Sequence, residues 1–327
     1  MTRSSNALAL ALVVLVTMVS LALAQDVRID GSSTVYPISL ALSEEFQIMH
    51  PDARLTVAFS GTGAGFEKFC RGETDVSGAS RPIKASEVEA CAQNDVPFVE
   101  LPIAADGLSV VVHPDNDFVQ CLSVAELHAI WRPDSDVSQW QDVRAEWPAE
   151  DIVLYGAGTD SGTFDYFTEA VNGESGAVRT DFFPSEDDNV LVQGVSGDEN
   201  AMGFFGYAYY AENTDRLSLV AIDGGSGCIE PSPETIAANT YTPLSRPLFL
   251  YFNADRLSSN DTLRTFAEFA ISPDAEPLVA DTGYLAYPRE IYDAAADRLS
   301  ARTTGTSFAT FEPGDSVLDA VQQAGDE

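Results

Sequence analysis

The chain has 327 residues and a formal net charge of −34, with 51 acidic against 17 basic side chains, of which two are lysines, Lys68 and Lys84. A charge this negative excludes non-specific binding of nucleic acid, whose phosphate backbone it repels, and it requires any anion site to be local. The length exceeds one ordinary hydrophobic core and suggests two lobes.

Residues 1–24 read as a secretion signal. Arg3 is their single charge, Ala7 to Leu23 is mostly apolar, and Ala22-Leu-Ala24 is a cleavage pattern ahead of Gln25. Cleavage leaves a soluble protein that is periplasmic or secreted. The apolar run is near the lower limit for a membrane span, so an uncleaved anchor is the competing reading. No Cys lies near the cleavage pattern to carry a lipid, and no later segment is long and apolar enough to cross a membrane.

Strand, loop and helix patterns then alternate, which argues for α/β architecture. Val27 to Ile29 runs into Gly31-Ser-Ser-Thr34 and then a helical pattern from Pro37, with Ile38, Leu42, Phe46 and Met49 on one face. Leu55 to Phe59 runs into Ser60-Gly-Thr-Gly-Ala-Gly65, followed by Phe66, Phe69 and Cys70 at helical spacing, closing at Gly72. Asp75 to Ala79 runs into Ser80-Arg81-Pro82. Leu101 to Val112 is a buried-strand pattern with Gly107 inside it, and Leu244 to Phe252 is a second; both suit strands crossing between lobes. Between them lie a helix over Val124 to Trp131, a Trp-rich stretch to Trp147, and the run Ile152 to Tyr155. That run leads into the small-residue loop Gly156 to Gly162 and a helix carrying Phe164, Phe167 and Val171, stopped by Asn172-Gly173. Asp188 to Val195 is helical, and Gly203 to Tyr210 is strand and turn with aromatics read as core. Helical patterns at Leu263 to Ile271 and Ile291 to Leu299 precede a Thr/Ser-rich tail, which packs on the first lobe or frays. No internal repeat is present.

Four strand-to-loop transitions thus end in Ser, Thr or Gly. In an α/β sheet such loops gather at the carboxyl ends of the strands, and helix N-termini converging there favour an anion through free N–H groups and a partial positive charge. Ser161 and Thr163 add hydroxyls, and Gly162 allows close approach to the backbone. Any single loop of this kind is more often an ordinary helix cap; the argument rests on the set.

Other chemistries fit less well. Ser161 sits in Gly158-Thr-Asp-Ser-Gly162, which lacks the spacing of a hydrolase nucleophile elbow. His50, His113 and His128 are the histidines, and none lies in a small-residue loop where it would serve as a base. No phosphate-binding loop ending in Lys-Ser or Lys-Thr is present, and the sequence implies no metal and no cofactor. Cys70, Cys91, Cys121 and Cys228 are even in number in an exported chain, so disulfides are expected. The pairing Cys70–Cys91 and Cys121–Cys228 keeps each bridge within one lobe; zinc is the alternative, without a supporting C-x-x-C.

Gly31-Ser-Ser-Thr34, Ser60-Gly-Thr-Gly-Ala-Gly65, Gly78-Ala-Ser-Arg-Pro-Ile83 and Gly158-Thr-Asp-Ser-Gly-Thr-Phe164, with Asp187-Asp-Asn-Val-Leu-Val-Gln193 and Gly203-Phe-Phe-Gly-Tyr207, resemble the substrate-binding proteins of phosphate ABC transporters. The resemblance spans most of the mature chain in the same order. It implies a type II periplasmic binding fold, two α/β lobes joined by crossing strands and closing on one anion. Lobe one would comprise 25–107 and 247–327, and lobe two 108–246. The implied partners are inorganic phosphate and a membrane permease; the implied protein is a monomer and no enzyme. By position, Ser33, Thr34, the backbone of Val35, Thr62 and Gly63 bind phosphate oxygens from lobe one, and Ser161, Gly162 and Thr163 from lobe two.

The chain departs from the best-known branch of that family at Arg81, where an acidic residue accepts the ligand's proton, and at Ala157, where an Arg stands. Arg81 is therefore expected to carry the displaced guanidinium to the phosphate, with Asp160 a candidate acceptor. The departures leave open another oxyanion, such as sulfate or molybdate. A secreted hydrolase using Ser161 is the alternative of a different class.

Overall fold

The computed structural model describes residues 26–159, 161–185, 187–311 and 315–323; the signal segment and Asp160 lie outside the described residues. The strands are β1 (Asp26–Gly31), β2 (Arg54–Val57), β3 (Val76–Ala79), β4 (Phe98–Val112), β5 (Cys121–Ser123), β6 (Val153–Ala157), β7 (Phe183–Ser185), β8 (Ala201–Gly206), β9 (Ser218–Leu219), β10 (Ala221–Asp223), β11 (Cys228–Ile229) and β12 (Ser245–Asn253). One continuous sheet runs β2-β1-β3-β12-β4-β8-β6-β7, with β9 beside β4, and β11-β10-β5 form a small separate sheet.

The sheet has two parallel halves, β2-β1-β3 and β8-β6-β7, joined by antiparallel β12 and β4. β4 is the shared member. Its residues Phe98 to Gly107 pair with β12, and Leu108 to Val112 pair with β8. All 15 of its residues are buried, which is why it reads as a mostly apolar run rather than an alternating one. The expected crossing strands are therefore present, and the architecture is the two-lobed type II fold.

Helices cover both faces, each presenting an apolar stripe. Helix Tyr36–Met49 has Pro37 in its first turn, where the ring is tolerated, and buries Ile38, Leu42 and Phe46. In lobe two, helix Gly162–Asn172 buries Phe164, Phe167 and Val171 and ends at Gly173, left-handed at φ 81°. Phe167 stacks on Phe204 at 3.7 Å between ring centroids, and Trp131 packs edge-on against Phe204 with centroids 5.0 Å apart. Such aromatics supply about 1.5–3 kcal/mol each by burial and fix the orientation of the helix that opens the binding loop.

The cysteines pair Cys70–Cys91 and Cys121–Cys228, as expected, and this uses all four. The first bridge joins helices Thr62–Cys70 and Ala85–Gln93; the second joins β5 to β11. The tail packs on lobe one. Thr306 Oγ1 and Ser307 N donate to the buried Glu100 carboxylate at 2.9 Å each, and the Tyr251 hydroxyl donates to it at 2.7 Å. No helix among the described residues is long and apolar enough to cross a membrane.

Candidate anion-binding site

The loops that follow β1, β2 and β3 lie side by side at the carboxyl ends of their strands, stitched by backbone. Ser32 N donates to Gly78 O at 2.9 Å, and Ser60 N and Gly61 N both donate to Gly31 O at 3.0 and 2.9 Å. Gly31, at φ 143°, lets this happen: a methyl group there would lie 2.7 Å from Gly78 N. Behind the loops, the buried Asp30 carboxylate accepts from Gly31 N at 2.7 Å, from Ser60 Oγ at 2.8 Å and from Lys68 Nζ at 2.5 Å. Burial pushes that carboxyl up, but Lys68, Ser60 and the Gly31 N–H outweigh it and hold it below the usual range. Thr62 Oγ1 lies 3.1 Å from Ser80 Oγ and ties the second loop to the third.

From lobe two, Ser161 caps helix Gly162–Asn172, its Oγ accepting from Thr163 N at 3.2 Å. Gly162 abuts lobe one, and a methyl group there would stand 2.7 Å from Thr34 Oγ1. The two halves of the expected site therefore meet at Thr34. Beside this contact is a cavity of about 470 Å³ between the lobes, whose wall includes Ser33, Thr34, Thr62, Gly63 and Arg81. The Val35 side chain is fully buried in the core, which leaves only its backbone to face a ligand. A helix start leaves N–H groups without a carbonyl one turn back. In helix Tyr36–Met49, however, Tyr36 N already donates to Ser32 O at 3.0 Å and Pro37 has no N–H, and in helix Gly162–Asn172 Thr163 N is held by Ser161 Oγ, so helix Thr62–Cys70 offers the most open helix start of the three.

The guanidinium of Arg81 is turned to its own lobe. Nη1 and Nη2 donate to the two oxygens of Glu87 at 2.9 and 2.8 Å, and Nη1 also to Pro82 O at 3.0 Å. A second guanidinium, which the sequence pattern did not single out, enters the cavity wall from β12. Arg246 donates from Nε to Asp106 Oδ2 at 3.1 Å and from Nη2 to Thr34 Oγ1 at 3.2 Å. Its guanidinium carbon lies 3.6 Å from the centroid of the Tyr166 ring. Arg246 and Asp106 are register partners across β12 and β4. Burial holds the Asp106 carboxyl above its usual range, and Arg246 offsets only part of that. The sequence signal was partial: Arg246 is the single cation of β12, but β4 carries two anions, Glu100 and Asp106.

Ser161 has no base. His128 Nδ1 lies 3.2 Å from Val171 O and 3.1 Å from Asn172 Oδ1, His113 Nδ1 accepts from Asp115 N, and His50 stacks on Phe46. Among the described residues no cluster of His, Cys, Asp and Glu is arranged to hold a metal.

The sequence profile of the PBP superfamily domain matches residues 19–274. The chain is 44% identical over 297 residues to Protein SphX of Synechocystis sp., covering 90% of this chain and 87% of that one. It is 40% identical over 264 residues to the phosphate-binding protein PstS of Staphylococcus haemolyticus, covering 80% and 81%. A solved structure described as a possible phosphate binding protein from Planctomyces limnophilus matches with a TM-score of 0.82 at 46% identity, covering 85% of this chain and 99% of that one.

Proposed function

This chain belongs to the PBP superfamily, and from that premise we propose that it captures inorganic phosphate between its lobes and delivers it to the permease of an ABC transporter. The observation that carries the reading is the meeting of Gly162 with Thr34, which brings a lobe-two helix start against the stacked Ser/Thr/Gly loops of lobe one. In this reading Ser33, Thr34, Val35, Thr62 and Gly63 donate from one side, and Ser161, Gly162 and Thr163 from the other, with Arg81 at the wall. The lobe boundaries are 25–107 with 247–327, and 108–246; the change of partner along β4 at Gly107/Leu108 supports them. The protein acts outside the cytoplasm as a soluble monomer, after loss of residues 1–24.

The binder reading is preferred to a hydrolase because Ser161 Oγ serves a helix cap and no described histidine bonds to it. Titration calorimetry with phosphate, then with sulfate, tests the proposal. Saturable one-site binding of phosphate in preference to sulfate is the expected result. A protein that ignores phosphate at millimolar concentration, or cleaves a chromogenic ester in a Ser161-dependent way, refutes it.

A further inference from the structure

Resting on the phosphate reading, we propose that Arg246, and not Arg81, is the cation that pairs with the bound anion, and that Asp106 and Tyr166 are positioning residues that fix its guanidinium toward Thr34.

The first ground is donor accounting. A guanidinium has five N–H groups in a fixed fork. Arg81 gives its two terminal nitrogens to both oxygens of Glu87 in bidentate geometry and Nη1 also to Pro82 O, which engages both ends of the fork and leaves Nε without a partner among the described residues. Arg246 gives Nε to one oxygen of Asp106 and Nη2 to Thr34 Oγ1, while Nη1 has no partner among the described residues. Its side chain is 14% exposed, and that exposure faces the cavity wall to which it belongs. A buried charge that leaves donors unmatched costs free energy unless a ligand completes it.

The second ground is the state of Thr34. Arg246 Nη2 donates into Thr34 Oγ1, so that hydroxyl is already an acceptor. Its own proton must point elsewhere, and the charge upstream polarises the O–H bond. Asp106, Arg246, Thr34 and the anion then form one directional chain, in which each link strengthens the next. Thr34 is also where Gly162 arrives, so the chain ends at the junction of the lobes.

The third ground is placement. Arg246 sits on β12, the strand that joins the lobes, and is paired with Asp106 on its neighbour β4. Through Asp106 and Thr34 this cation is tied to lobe one, although the proposed boundary counts Arg246 as the last residue of the lobe-two span. Tyr166, from helix Gly162–Asn172, brings its ring over the guanidinium and removes water from one face of it. A structural clamp would need only Asp106; the bond to Thr34 and the shared cavity wall are what a ligand partner needs.

The test is titration calorimetry of phosphate against the full mature chain and single variants. Arg246→Gln, which keeps N–H groups but loses the charge, should weaken binding about 30-fold or more. Arg246→Lys should recover part of the loss, because a point charge cannot hold Asp106, Thr34 and the ligand together. Arg81→Ala should lose at least tenfold less than Arg246→Gln. Asp106→Asn should weaken phosphate while changing the dependence of affinity on pH, a response that simple loosening of the strands would not give. A loss for Arg81→Ala equal to or above that for Arg246→Gln overturns the assignment, as does an Arg246→Gln protein that melts like wild type and binds within threefold of it. Should Arg246→Gln fail to fold, Arg246→Lys binding as tightly as wild type overturns the assignment equally. Failure of the wild-type chain to bind phosphate would instead refute the functional reading beneath it.

Discussion

Arg246 and Tyr166 face each other at 3.6 Å, one from the connecting strand and the other from lobe two. The Tyr166 hydroxyl also donates to Pro243 O at 2.7 Å, just before that strand begins. Both contacts hold helix Gly162–Asn172 against the start of the connecting strand.

Tyr166→Ala should therefore shift the protein toward open forms. A stacked cation and a buried hydrogen bond contribute about 1 kcal/mol each, so phosphate should leave roughly tenfold to thirtyfold faster. X-ray scattering should show a larger radius of gyration for the ligand-free variant than for wild type. Saturating phosphate should contract the wild-type protein and raise its melting temperature by linkage. Equal scattering curves and equal dissociation rates in wild type and variant would contradict the role given to Tyr166.

The acid limb of stability should carry the mark of Glu126. Its carboxylate accepts from Arg144 Nε and Nη2 at 2.7 and 2.9 Å and from Ser123 N at 2.8 Å, and these hold its pKa down to about 2, from 4.5. A folded-state pKa below the unfolded value gives stability that is present above pH 4.5 and is lost as the pH falls toward 2. The pair is partly exposed, so about 1–2 kcal/mol is at stake after screening. Glu126→Gln should lower stability at pH 7 and flatten denaturant-measured stability between these limits. A variant with the wild-type acid slope would show that other carboxylates set it; Asp30, also held low, is the next to test.

What was legible in the sequence was whatever is local. Apolar runs ending in Ser, Thr or Gly marked β1, β2, β3 and β6 with their loops, and helical spacing marked helices Tyr36–Met49 and Gly162–Asn172. Long apolar runs marked β4 and β12 because a strand buried on both faces leaves that trace. The partnership of Arg246 with Asp106 was not legible, because it spans 140 positions and depends on the register of two strands. Arg81 looked like a ligand residue from its loop; only the fold shows Glu87, in the first turn of helix Ala85–Gln93, closing on its fork. Tyr166 was not singled out, because it lies off the Phe164, Phe167 and Val171 spacing that marks its helix.

The second disulfide should matter more to stability than the first. Cys121–Cys228 spans 107 positions and joins β5 to β11 in the small sheet, whereas Cys70–Cys91 spans 21. Longer closed loops restrict the unfolded chain more, by about 4–5 kcal/mol against about 3 in the chain-entropy account. Chemical denaturation of Cys121→Ser/Cys228→Ser and of Cys70→Ser/Cys91→Ser should rank them in that order. The reverse order would mean that native packing around the helices, not loop closure, decides.

Association with phosphate should run against the protein's own field. The net charge is −34 and the ligand is an anion. A local positive funnel could reverse the sign, but the cations at the cavity are each matched: Arg81 by Glu87, and Arg246 by Asp106. Asp165 and Glu169 also line the cavity, on the lobe-two helix. With matched pairs inside and excess carboxylates outside, repulsion dominates the approach, while Arg246 acts only at hydrogen-bonding distance. Inert salt shortens the reach of that repulsion to about 10 Å at 0.1 M. The stopped-flow association rate should therefore rise, or hold, as sodium chloride is added. The dissociation rate should change less, since the contacts that hold the ion are short and desolvated. A steep fall in association rate with salt would show that a positive funnel steers the ligand after all, and that the cavity's guanidinium groups are not neutralised at long range by their carboxylate partners.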